Sequence, residues 1–336
     1  VSARPLALTL GDPAGVGPEI IVKAWRALSQ DGPPFLVVGD AQALTSAPAA
    51  AGVPIRTVGR AEQALSLFRQ ALPVLDLPLT TDVVAGQPSG AHAPQIIRWI
   101  ETAVGLALVG AVGGVVTAPI AKAPLYEAGF KFPGHTEFLA ELTAPANQPG
   151  ARGPIMMLTA RDLRVALVTI HEPLARVPGL ITIERVVNAG LVTAQALRRD
   201  FGIARPRLAV AGLNPHAGES GGLGREEIET IEPAVRALRD LGVDAQGPYP
   251  ADSLFHQDAR ARYDAVLCQY HDQALIPVKM LDFWGGVNVT LGLPVVRTSP
   301  DHGTGFDIAG RGHARPDSLI AAIRLADSIA AHRLAA

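Results

Sequence analysis

The stretch AVLCQYHDQALIPVK, residues 265–279, runs an apolar segment straight into His-Asp-Gln with no linker between them. A short unbroken apolar run of this kind is the pattern of a strand buried on both faces, as in a parallel sheet. Ligands of open parallel sheets bind beyond the carboxyl ends of the strands, which is where His271 stands. The same pattern occurs twice more: RVALVTI (164–170) leads to His171, and RLAVAGLNP (207–215) leads to His216. The three histidines are 45 and 55 residues apart, so they meet only if the fold brings their strand ends together.

Imidazole is a common ligand of borderline divalent metals, and three of them leave positions open for water or a substrate oxygen. Each histidine is therefore read either as a metal ligand or as a hydrogen-bonded loop residue, and three equivalent placements favour the metal. Glu172, Glu219 and Asp272 stand beside them and could orient the rings as acceptors. His92, His256, His313 and His332 lack this setting and are assigned to the solvated surface.

Outward from these strands, the chain alternates short apolar runs, Gly/Pro/Asn-rich turns and longer amphipathic segments. LALTL leads through GDPAGVGP to EIIVKAWRAL, and FLVVGD leads to AQAL. IERVVNAGLVTAQALRRDFG and REEIETIEPAVRALRDLG have helical spacing and end at a glycine. This is α/β architecture with a mostly parallel sheet. At 336 residues, two lobes or one large unit are expected. The loosest stretch is TAPANQPGARGP, residues 143–154, a surface loop or a lobe boundary.

Hydrophobic residues make up 48% of the chain and charged ones 18%, with a formal net charge of −2 and no basic block, so nucleic-acid binding is not expected. The single cysteine, Cys268, rules out an internal disulfide; it lies in an apolar run as a small buried hydrophobe and suits a reducing, cytoplasmic setting. The N-terminal VSARPLALTLGDP lacks a secretory signal. Residues 102–121 carry no charge and have bilayer-spanning length, but Gly110, Gly113, Gly114 and Pro119 divide them into a helix end and a short strand, GVVTAP, so no membrane span is expected.

Lys279, Asn288 and Arg297 follow the third histidine on KMLDFWGGVNVTLGLPVVR. A lysine, an amide and an arginine on one side of a cleft suit a phosphate; otherwise they are ordinary polar residues of a loop and strand edge. FPGHTEF places His135 and Thr136 in a glycine-led turn, within reach of a substrate. GDPAGVGPEI is like a strand-to-helix phosphate loop, yet it lacks both the Gly-Lys-Ser/Thr of a P-loop and the G-x-G-x-x-G dinucleotide pattern; it is either an anion cradle or a tight turn.

GDPAGVGPEI, GHTEF, GLNPHAGE, YHDQ and GVNVTLGLPVVRTSPDHGT, in this order and from end to end, resemble the 4-hydroxythreonine-4-phosphate dehydrogenase family of vitamin B6 biosynthesis. The resemblance implies that His171, His216 and His271 hold a divalent metal and so act in catalysis, that His135 and Thr136 touch substrate, and that Lys279, Asn288 and Arg297 hold the substrate and its phosphate. It also implies a homodimer whose metal site draws ligands from both subunits, so the three histidines need not converge within one chain.

DHGTGFDIAGRGHARP is similar to the loop of isocitrate and isopropylmalate dehydrogenases that cradles the adenosine end of the nicotinamide nucleotide. By that likeness His302, Gly303, Thr304 and Asp307 contact NAD, or NADP in its place. The implied fold is a two-lobed α/β/α architecture similar to those dehydrogenases. Residues 1–120 with 275–336 would form the cofactor lobe, and 121–274 the metal, substrate and dimerisation lobe, with the active site in the cleft between. Those relatives bind metal through aspartates; histidines here favour zinc, cobalt or manganese over magnesium alone.

The implied reaction is NAD-dependent oxidation of 4-phosphohydroxy-L-threonine with decarboxylation to 3-amino-2-oxopropyl phosphate. Two alternatives stay within the family: a four-carbon sugar-acid phosphate, erythronate or threonate phosphate, or a dihydrodiol of an aromatic dicarboxylate. A third, from another class, is a non-redox metal-dependent phosphate-binding enzyme.

Overall fold

The computed structural model describes residues 4–132 and 134–335. Its strands are β1 (Leu6–Thr9), β2 (Phe35–Gly39), β3 (Ile55–Thr57), β4 (Leu72–Asp76), β5 (Val115–Thr117), β6 (Ile155–Ala160), β7 (Leu163–Leu167), β8 (Arg207–Ala211), β9 (Asp244–Tyr249), β10 (Ala265–Cys268), β11 (Val287–Leu291) and β12 (Arg297–Pro300). The chain divides into two compact units, one formed by the described residues up to Asn147 with Leu293–Leu334, the other by Gln148–Gly292.

In the first unit the strands run in the order β3-β4-β2-β1-β5-β12, all parallel. Every residue of β1, β2, β5 and β12 is buried, as parallel strands covered on both faces must be. The uncharged stretch 102–121 divides as its glycines indicate. The helix Ala93–Leu108 buries Ile96, Trp99, Ile100, Ala103 and Val104, Gly110 turns the chain at φ +72°, and β5 follows. Trp99 satisfies its indole N–H on the Leu77 carbonyl at 2.9 Å.

In the second unit the order is β11-β6-β7-β10-β8-β9. β11, β6 and β7 pair antiparallel; β7, β10, β8 and β9 run parallel. Ala160 opposite Leu163 closes a two-residue hairpin between β6 and β7, with Arg161 left-handed at φ 52°. The core beneath is Leu158, Val165, Leu167, Val266, Cys268 and Val278, each 0–1% exposed. Cys268 is thus core filling, and burial pushes its thiol up, away from reactivity.

The division falls at 147/148 and 292/293, whereas the sequence reading places it at 120/121 and 274/275. The first boundary lies in the loose stretch 143–154, because the helix His135–Thr143 packs on Ala93–Leu108 and stays with the first unit. The second lies later because β11 pairs with β6, and the helix His271–Leu281 packs on β6, β7 and β10. REEIETIEPAVRALRDLG is not one regular helix either: a π-helical turn, Glu227–Ile231, precedes the α-helix Glu232–Asp240. Pro233 at its start lacks the N–H that would continue a regular ladder backwards.

No single helix among the described residues is long and apolar enough to cross a membrane. One bent pair, Leu174–Leu180 with Ile183–Arg199, passes on length and composition, but it buries Val177, Val186, Val192 and Leu197 in the core.

Candidate active site

β10 lies between β7 and β8 in parallel register, with Val266 opposite Val165 and Leu267 opposite Val210. The three strands that precede His171, His216 and His271 are therefore neighbours with their carboxyl ends at one edge. Buried amides and a hydroxyl stitch those ends together. Thr169 Oγ1 donates to the Gln269 carbonyl at 2.6 Å, tying the β7 end to the β10 end. Gln269 Nε2 donates to the Ala211 carbonyl and Gln273 Nε2 to the Gly212 carbonyl, both at 2.7 Å, while Gln273 Oε1 accepts from Gln269 N–H at 2.7 Å. These three residues are absent from the sequence reading, although QYHDQ gives a signal: amides flanking a strand-end histidine suit such ties.

The stitching brings the His171 and His271 rings to a centroid separation of 5.6 Å. His271 opens the helix His271–Leu281, and its Nδ1 lies 2.7 Å from Asp272 Oδ1. With the proton on Nδ1 donated to that carboxylate, Nε2 keeps a lone pair for a ligand. Glu172 instead lies 3.5 Å from Arg176. His216 is not brought into a cluster with the other two: among the described residues no three His, Cys, Asp or Glu side chains stand close enough together to hold a metal ion. His171 and His271 are two imidazoles with their ring centroids 5.6 Å apart, and no third such side chain joins them among the described residues.

His216 begins an unusual turn. His216, Ala217, Gly218, Glu219 and Ser220 all have positive φ, at 54°, 51°, 81°, 43° and 56°. Each non-glycine held left-handed costs about 1–2 kcal/mol, so surrounding contacts must impose the run. Glu227, 1% exposed, braces the chain ahead of the run: its Oε1 accepts from the Leu213 and Asn214 N–H groups at 2.7 Å each, and its Oε2 from Asn214 Nδ2 at 3.0 Å. A Cβ on Gly218 would stand 2.6 Å from Glu227 Oε2, so the turn closes over the carboxylate only with glycine there.

In the first unit His135 and Thr136 are not in a turn but open the helix His135–Thr143, with Gly134 as its N-cap. Burial holds the His135 imidazole well below the ordinary histidine range, and the charges of Arg297 and Lys122 push the same way. Its Nε2 is buried with no hydrogen-bond partner among the described residues. Arg297 is 3% exposed and donates to Thr117 Oγ1 at 2.7 Å; burial pushes its guanidinium down to about 10. A neutral imidazole beside two cations makes an electropositive niche suited to an anion. The sequence reading overlooks Lys122, four residues beyond the well-hidden Ala118 that follows β5.

In the second unit Lys279 is half-buried on its helix, its Nζ 5.2 Å from the Phe283 ring centre, and Asn288 sits on β11 with Oδ1 buried and unpartnered among the described residues. Ile276, Met280, Phe283 and Trp284 are 60%, 82%, 60% and 50% exposed, an apolar ridge running from the helix that His271 opens. Elsewhere His92 departs from the surface assignment. It is 2% exposed, with Nε2 3.2 Å from the Asp82 carbonyl, because it enters the buried start of the helix Ala93–Leu108.

The GDPAGVGP stretch is a tight turn that receives the loop after β12. The Val16 N–H donates to the Thr304 carbonyl at 2.8 Å, and a Cβ on Gly15 would come within 2.8 Å of that same oxygen. Asp12 is 2% exposed and accepts from Ala14 N–H at 3.0 Å; burial pushes its carboxyl up. His302 Nδ1 lies 2.9 Å from the Gly303 carbonyl, and Gly303 and Asp307 are exposed. Beside this turn lies a cavity of about 800 Å³ lined by Gly15, Asp40, Thr80, Asp82 and Gly310. Asp40 is already committed there, accepting from the Ala43 and Leu79 N–H groups at 2.7 Å.

Parallel α/β architecture, imidazoles at strand ends and a glycine-rich loop over a tight turn together define an enzyme-like α/β protein with the parts of a small-molecule site. The family model described as pyridoxal phosphate biosynthetic protein PdxA matches residues 31–326, and the chain belongs to that family. It is 73% identical to the 4-hydroxythreonine-4-phosphate dehydrogenase of Caulobacter vibrioides, over 99% of each chain. Among solved structures, it is similar to the 4-hydroxythreonine-4-phosphate dehydrogenase of Klebsiella pneumoniae, with TM-score 0.85 and 39% identity over 98% of this chain and 99% of that one. A terephthalate 1,2-cis-dihydrodiol dehydrogenase from Burkholderia xenovorans is more distant, with TM-score 0.64 and 32% identity over 97% and 98%.

Proposed function

We propose that the protein oxidises 4-phosphohydroxy-L-threonine with NAD and releases carbon dioxide to give 3-amino-2-oxopropyl phosphate, with a divalent metal and as a homodimer. The reading rests above all on the His171/His271 pair, 5.6 Å apart at adjoining strand ends with Asp272 on the far nitrogen of one ring. It draws support from relatives bearing that dehydrogenase name, one of them 73% identical. When bound, zinc, cobalt, manganese or magnesium would supply Lewis acidity at the reacting hydroxyl and NAD the acceptor for its hydride.

The chain's own residues divide the remaining work. His171 and His271 would hold the cation with their lone pairs, and His216 of the partner subunit would complete the set. The exposed ridge Ile276, Met280, Phe283 and Trp284 is the surface on which a second copy docks, which would carry its groups toward His271. His135 stays neutral, so it can donate or accept at the substrate without adding charge. Arg297, Lys279 and Asn288 bind the phosphate and Thr136 the substrate, spending remote binding energy on orientation. His302, Gly303, Thr304 and Asp307 contact the nucleotide from a loop anchored on the Gly15–Val16 turn. A reducing cytoplasm accords with the free, buried Cys268.

The test is turnover of purified protein with NAD on 4-phosphohydroxythreonine, beside erythronate phosphate, threonate phosphate and a terephthalate dihydrodiol. NADH should form with the first. The likeness to the dihydrodiol dehydrogenase makes that diol the principal rival substrate. NADH from one of the other three alone would displace the proposal, and absence of NAD binding with and without metal would favour non-redox chemistry.

A further inference from the structure

We propose that Glu227 is a positioning residue that holds His216 in its ligating pose, through the left-handed turn that the histidine begins. The inference rests on the reading of His216 as a metal ligand and adds to it a residue outside the ligand set. Six consecutive positive-φ residues run from His216 to Gly221, and apart from Gly218 and Gly221 none of them is a residue that favours that conformation. The conformation is imposed from outside. Glu227 is buried, yet it accepts three hydrogen bonds of 2.7, 2.7 and 3.0 Å, all from Leu213 and Asn214, three and two residues ahead of His216, and a Cβ on Gly218 within the turn would stand 2.6 Å from its Oε2.

The clamp is doubled by Glu226, whose Oε2 accepts from Asn214 Nδ2 at 2.7 Å. Asn214 thus gives its backbone N–H to Glu227 and its side-chain amide to both carboxylates, fixing the chain direction two residues ahead of His216. The carboxylates issue from the start of the π-helical turn Glu227–Ile231, a rare form that recurs at functional sites. An amide at position 227 would turn an N–H₂ group toward donors that now face a carboxylate. Because Glu227 itself touches neither ring nitrogen of His216, its loss should be felt only through that ring.

The experiment is Co(II) titration of the full-length protein, followed by the visible absorption of the bound ion, for wild type, Glu227→Gln, His216→Ala and the double variant. Wild type should bind, and Glu227→Gln and His216→Ala should each weaken Co(II) at least tenfold. The double variant should be no weaker than His216→Ala alone, since the clamp has nothing left to position. Asn214→Ala, which keeps Glu227, should give a smaller loss in the same direction and serves if Glu227→Gln does not fold. Wild-type affinity in the clamp variants, or an equal further loss when Glu227→Gln is added to His216→Ala, overturns the proposal. Failure of wild type to bind Co(II) instead removes the metal reading itself, and the positioning role with it.

Discussion

Replacing Gln273 with leucine tests whether the strand ends are held together as described. The side chain is 8% exposed and makes two 2.7 Å hydrogen bonds, accepting from Gln269 N–H and donating to the Gly212 carbonyl. Leucine keeps the volume but leaves a buried donor and a buried acceptor without partners, each costing about 1–3 kcal/mol. Leucine's greater apolarity offsets roughly 1 kcal/mol, a net loss of about 1–5 kcal/mol. Urea unfolding at fixed protein concentration reads it as a lower midpoint at unchanged slope. Because the tie spans the β8 and β10 ends, kcat should also drop while the KM for NAD stays put. A midpoint shift worth under about 0.5 kcal/mol, the size of an ordinary surface change, would refute the stitching.

Asp272→Asn removes the carboxylate that fixes the His271 tautomer and should weaken metal affinity by about 10–100-fold with little change in melting temperature, measured by titration with Co(II) or Zn(II). Arg297→Ala should cost about 2–5 kcal/mol in kcat/KM for the phosphorylated substrate, as expected for truncating a desolvated charge partner, and much less for a non-phosphorylated analogue. His135, depressed by burial first and then by Arg297 and Lys122, binds fewer protons folded than unfolded. Its contribution to stability is therefore whole above the unfolded value of about 6.5 and is lost as pH falls through that value toward the depressed one. NMR titration should show it neutral at pH 6.5, with an upward shift on adding phosphate; an ordinary midpoint would contradict the buried niche. Met280→Asp with Trp284→Ser should convert a dimer to monomers in sedimentation and abolish turnover while each chain stays folded.

The apolar runs before His171, His216 and His271 were legible as buried strands because a parallel strand covered on both faces has to be continuously apolar, and burial on both faces is a local demand. The division of residues 102–121 into helix and strand was legible for a similar reason, since Gly110 takes a conformation that other residues resist. His92 was misread because nothing in its neighbours announces that a helix start will be covered. The boundary at 292/293 was missed because it depends on β11 pairing with β6, a partner more than a hundred residues away.

Local chemistry in the chain thus determined the α/β class, the strand ends that carry the histidines, and membership of a family whose motifs are spread from end to end. Tertiary structure alone decided that β7, β10 and β8 are neighbours, that the His171 and His271 rings come within 5.6 Å while no third metal-ligating side chain joins them among the described residues, and that burial, with the charges of Arg297 and Lys122, depresses the His135 imidazole. The reason is physical. Periodicity and turn chemistry act between residues near in sequence, whereas burial, charge proximity and the ties made by Thr169, Gln269, Gln273 and Glu227 exist only once distant segments have packed.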